Sequence, residues 1–153
     1  MKEEIGMKKL IFIMVFMAAL ALTRPLLAAG SWQEFSCGPS CLGLEWTADV
    51  SDGSVPSLTT RHLGGTLWTV ETVPGEITPP TAGYGVTISN QYNRDLMGGT
   101  LAGRSSTQAQ AASPLQNGVE WPARFYGPLN VSVTGNTVPS AQGKILIWLV
   151  PGK

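Results

Sequence analysis

From residue 42 to residue 50 the chain alternates without a break. Leu42, Leu44, Trp46, Ala48 and Val50 are interleaved with Gly43, Glu45, Thr47 and Asp49. A period of two sends one set of side chains to a core and the other to water, which predicts a strand of an antiparallel sheet buried on one face. Ser51-Asp52-Gly53-Ser54 ends that strand with turn-forming residues. Residues 57–63 and 66–73 flank Gly64-Gly65, and two glycines that both tolerate positive φ predict a hairpin there. Tyr84, Val86 and Ile88 alternate next, then Leu129, Val131 and Val133. Residues 144–150 (KILIWLV) are apolar on both faces and read as a central strand. Residues 119–126 carry a weaker strand signal, because Pro122 interrupts it and forces an edge or a bend.

Between these strands, residues 95–104 (DLMGGTLAGR) are small, apolar and glycine-rich, with room for one short helical turn. A longer helix is disfavoured, since each glycine costs about 1 kcal/mol relative to alanine. Residues 105–112 (SSTQAQAA) read as exposed. Six or seven short strands separated by Gly, Pro and Asn turns predict an all-β fold, a single antiparallel sandwich or jelly-roll-like domain.

The amino end is of another kind. Lys8 and Lys9 precede a run of thirteen apolar residues, 10–22, followed by Pro25 and the small residues Ala28, Ala29 and Gly30. The run is shorter than the ~20 residues of a membrane-spanning helix and matches a signal segment, a hydrophobic helix cleaved after Ala29 or kept as an anchor. Met7 offers a second start with a more typical signal opening. The expected organisation is therefore a signal or anchor over residues 1–29 and a β-domain over residues 30–153, exported to the periplasm, cell surface or medium.

That domain holds six basic and eight acidic residues, a formal net charge of −2. No basic footprint for nucleic acid remains. Cys37 and Cys41 enclose Gly38-Pro39-Ser40, a turn that brings the two thiols within bonding reach, and in an exported chain they are the candidate disulfide. A redox dithiol fits less well, wanting two intervening residues and an α/β setting. A metal site would need more ligands than these two and the distant His62.

Nothing catalytic stands out. His62 is the single histidine, no serine lies in a G-x-S-x-G context, and several acids fall on outward strand positions or turns. Asn90, Asn93 and Asp95 put three oxygen ligands in one loop, which suits Ca²⁺ in kind but not in spacing; turn-forming Asx chemistry accounts for them as well. The expectation is no enzyme, no cofactor and no metal. Of the five tryptophans, Trp46 and Trp148 read as core, while Trp32 and Trp121 lie in segments without period and are the candidates for an exposed contact.

Several segments in order are similar to a family of small, mostly uncharacterised β-rich proteins encoded among virion genes of tailed phages and prophages. They are Glu45-Trp46-Thr47-Ala48-Asp49, Val70-Glu71-Thr72-Val73-Pro74, Tyr84-Gly85-Val86-Thr87-Ile88 and Gly127-Pro128-Leu129-Asn130-Val131-Ser132-Val133-Thr134-Gly135-Asn136. The most specific is Asp95-Leu96-Met97-Gly98-Gly99-Thr100-Leu101-Ala102-Gly103-Arg104-Ser105, with its acid, apolar pair, glycines and closing Arg-Ser. The resemblance implies a non-enzymatic virion-associated structural or accessory protein that self-associates or joins a larger assembly, and it supplies no catalytic residues. Asp95 and Arg104, at the ends of that motif, join Trp32 and Trp121 as a possible interaction surface. The alternative is an exported binding module that recognises a glycan or a cell-surface partner. The two readings differ in behaviour: one sediments in an assembly, the other gains stability with its ligand.

Overall fold

The computed structural model describes residues 29–151. The expected signal segment therefore lies outside the described residues, apart from Ala29. The described residues are all-β with no helix, in eleven strands: β1 (Ser31–Ser36), β2 (Cys41–Thr47), β3 (Leu58–Thr59), β4 (Leu63–Pro74), β5 (Gly85–Ser89), β6 (Gln110–Ala112), β7 (Leu115–Gln116), β8 (Val119–Glu120), β9 (Ala123–Gly127), β10 (Asn130–Thr134) and β11 (Gln142–Pro151). Every pairing is antiparallel.

The larger sheet runs β1-β2-β11-β4-β6, and β9 pairs with β4 on the same edge as β6. The smaller sheet runs β3-β10-β5, and β7-β8 form a separate two-stranded ladder. The alternation in β2 works as the sequence predicts: Leu42, Leu44 and Trp46 are buried, beside Ile145 and Ile147 of β11. They share one core with Val86 and Ile88 of β5 and with Val131 and Val133 of β10. Burial of each of these large side chains contributes on the order of 1.5–3 kcal/mol, which makes this shared core the main stabilising element.

The hairpin expected at Gly64-Gly65 does not form. Both glycines lie inside β4, and the preceding residues instead supply β3, which pairs with β10 in the other sheet. Glycine serves here by lacking a side chain rather than by turning the chain. The Tyr126 ring lies over Gly64 so closely that a Cβ would meet it at 3.3 Å. The central placement of the last strand holds, since β11 sits between β2 and β4. The bend at Pro122 also holds, separating β8 from β9.

Strand β4 is long enough to serve two neighbours. Leu63 to Leu67 pair with β9, and Val70 to Thr72 pair with β6. Across from this changeover the register with β11 slips: Trp148 faces Thr69 while Leu149 faces Leu67, which leaves Trp68 as the extra residue of a β-bulge. A bulged residue is re-aimed away from the regular alternation.

Candidate functional site

The bulge turns Trp68 outward, where it lines one cleft together with Trp121. The two indoles, with Ser113, Glu120 and Pro122, line a shallow open cleft of about 140 Å³. Trp68 is 58% exposed and Trp121 64% exposed. Both sit on fixed backbone. Trp68 is held in the sheet by the ladders on either side of it, and the Trp121 amide donates to the Pro114 carbonyl at 3.0 Å, closing the β7–β8 hairpin. Trp121 is thus where sequence reasoning placed it, on the surface. Trp68 escaped that reasoning, because a bulge leaves no trace in a hydrophobic period.

The other candidates are distributed differently. Trp32 is half-buried against the core, and its Nε1 donates to the Pro56 carbonyl at 2.6 Å. Trp148, expected in the core, is 37% exposed on the outward face of β11. The reason is alternation: Ile145 and Ile147 take the inward positions, so Trp148, next after Ile147, faces out. Cys37 and Cys41 are at disulfide distance, with Cα atoms 5.2 Å apart, and close the turn between β1 and β2. Cys41 borders a cleft that Glu34, Phe35 and Arg61 also line.

Asp95 and Arg104 are engaged by the backbone of their own segment. Asp95 is half-buried, and its two carboxylate oxygens accept from the Met97 and Gly99 amides at 2.9 and 2.8 Å. Asn90 likewise turns its Oδ1 to the Tyr92 and Arg94 amides. These oxygens are occupied by their own turns. Arg104 is only 6% exposed, and its Nη1 donates to the Thr100 carbonyl at 3.0 Å. The glycine-rich segment is therefore folded in on itself, with Met97 and Leu101 in the core and no helical turn.

Arg104 lies beside a second feature absent from the sequence reading. Its backbone forms an antiparallel bridge with Tyr84, whose ring in turn packs against Trp46 with centroids 6.0 Å apart. Among the described residues, Tyr84 OH, Arg104 Nε and Trp46 Nε1 are buried without a protein hydrogen-bond partner. Burial pushes the Tyr84 phenol up from its ordinary pKa, while the Arg104 charge pulls it down less strongly.

A raised phenol pKa has a definite sign in stability. The unfolded chain releases its proton near the ordinary tyrosine value while the folded chain holds it, so the contribution is complete below that value and is lost as pH rises through the folded pKa. Tyr84→Phe is expected to remove this alkaline loss. It should also gain up to about 1 kcal/mol at neutral pH, because it deletes a buried hydroxyl that lacks a partner. Denaturant melts from neutral to strongly alkaline pH check both; an unchanged alkaline loss in the variant counts against the assignment.

Among the described residues no three His, Cys, Asp or Glu side chains come together to hold a metal ion. His62 packs edge-on against Tyr126, with ring centroids 4.7 Å apart. Comparison with protein-family models, with curated proteins and with solved structures found no match. The geometry itself defines the class: an antiparallel all-β domain with a paired-tryptophan cleft at a bulge and an exposed aromatic sheet face beside it.

Proposed function

We propose that this chain is an exported, non-enzymatic structural or accessory protein of the phage-virion type. Its β-domain, read as a sandwich, packs against a neighbouring subunit of a larger assembly through the outward face of β4, β9 and β11. The observation that carries this reading is that face itself. Trp148 and Val150 lie two residues apart on β11 and are both exposed. Val150 pairs with Thr66, and Tyr126 pairs with Gly64 two positions along the same strand, so all three share one side of the sheet. Large apolar side chains grouped on one face mark a protein contact more often than a bare surface. The central strands beneath them are fixed by ladders on both sides, so little ordering is required on association.

Three further points support the reading. Two sheets that share one core suit a sandwich. The Cys37–Cys41 pair suits an oxidising compartment, and residues 10–22 have the pattern of an export signal. The motif order resembles virion-module proteins, and its most specific segment is used for internal bracing, as a structural protein requires.

The test is a double variant, Trp148→Lys with Val150→Lys. Both side chains point outward, so the fold is expected to lose no more than about 1 kcal/mol. Co-sedimentation with the native assembly is expected to disappear, because two buried ammonium groups would have to be desolvated in the contact. A folded double variant that still enters the assembly contradicts the proposed face.

A further inference from the structure

The Trp68–Trp121 cleft has a composition that the assembly face lacks. Two exposed tryptophans stand beside a carboxylate, Glu120, and a hydroxyl residue, Ser113, around a hollow of about 140 Å³. A protein contact site of this size would be a minor dimple. The mixture suits a ligand that is itself amphipathic at the scale of one ring.

A pyranose is such a ligand. Its axial C–H groups form an apolar face that packs on an indole, whose π-cloud attracts the slightly positive hydrogens. Its equatorial hydroxyls radiate in the plane of the ring and need acceptors and donors at the rim. The charge of the cleft narrows the class. Glu120 is its one charged lining residue, which favours neutral sugars as hydroxyl donors and disfavours uronic or sialic acids by repulsion. Both indoles are also pre-positioned, one by the bulge and one by the β7–β8 hairpin, so binding need not order a loop.

We infer that Trp68 and Trp121 form a carbohydrate-binding site for a neutral, equatorially substituted hexopyranoside, stacked on the indoles and hydrogen-bonded at the rim by Glu120. The site borders the proposed assembly face, since Trp68 precedes Thr69, the partner of Trp148, but its ligand chemistry does not rest on that reading. A chain that never enters a particle can still bind sugar here, and a chain that assembles can do so with this cleft inert.

The experiment is a titration of the folded protein with cellotetraose and with chitotetraose at up to millimolar concentration, and with tetragalacturonate as the anionic comparison. It is read by tryptophan fluorescence and by the indole N–H resonances. At least one neutral oligosaccharide is expected to shift two indole resonances and to bind at least tenfold more weakly to Trp68→Ala and to Trp121→Ala. Both variants replace exposed side chains, and their melting temperatures are measured to show that they fold. Glu120→Gln is expected to weaken the neutral ligand while relieving the discrimination against tetragalacturonate. Absence of a response to both neutral oligosaccharides, or a response that survives both tryptophan substitutions, overturns the site. A preference of the native protein for tetragalacturonate overturns the neutral-sugar assignment.

Discussion

Trp46→Ala is expected to destabilise the domain by about 3–5 kcal/mol, a large part of the 5–15 kcal/mol that holds a typical domain together. Three features of the site set this size. The indole is completely buried on the inward face of β2, between the two sheets. It rests on Gly143, its partner in β11, where a Cβ would approach the ring to 2.8 Å, so no neighbouring side chain can swing in to fill the space. On its other side lies Tyr84, tied by its own bridge to Arg104 and unable to follow. The cavity term therefore adds almost fully to the lost transfer energy. Trp46→Phe keeps much of the volume and deletes an indole N–H that has no protein partner, so it is expected to recover more than half of the loss. Urea melts followed by circular dichroism give both values, and a Trp46→Ala cost under about 1 kcal/mol would mean that the two sheets do not share this core.

The second large effect comes from the glycine-rich segment. Gly98→Ala is expected to cost at least about 2 kcal/mol, against about 1 kcal/mol for Gly99→Ala next to it. Both residues have positive φ, 62° and 81°, so both substitutions carry the left-handed penalty. They differ in what the new methyl group meets. At Gly98 it would lie 2.1 Å from the Leu115 carbonyl oxygen, whereas nothing stands within 4 Å of the same position on Gly99. Leu115 cannot retreat freely, since its amide donates to the Met97 carbonyl at 3.1 Å and it pairs with Glu120 as the first residue of β7. The Gly98 variant should also disturb the indole resonance of Trp121, because the same β7–β8 hairpin positions that side chain. Equal costs at the two glycines would show that the close approach of residues 98 and 115 is not part of the folded state.

The strands that could be read from the sequence are those buried cleanly on one face. In β2, β5 and β10 an unbroken alternation reports an unbroken ladder, and the long apolar run of β11 reports a neighbour on each side. Strand β1 gave no such signal, because most of its residues are exposed and it pairs with β2 alone. Strand β4 is not legible through Gly64-Gly65 for a physical reason: glycine has the same appearance in a turn as in a strand that lets a neighbouring ring approach closely. The bulge at Trp68 and the contact of Gly98 with Leu115 depend on residues far apart in the chain, and a local pattern cannot carry them. Trp121 was legible as an exposed aromatic, while its partner Trp68 was not. Asp95 and Arg104 were legible as a motif, but their backbone hydrogen bonds and burial make them braces of the fold.

The central claim is that this domain functions as part of a larger assembly, and the most direct test is sedimentation of material from the native source, with the chain followed by antibody and intact mass. The account predicts recovery in the particle fraction, with a chain that starts near Gly30 and is two hydrogens lighter than the fully reduced form. Recovery of the whole population as free monomer in the periplasm or medium, with none in particles, would contradict it.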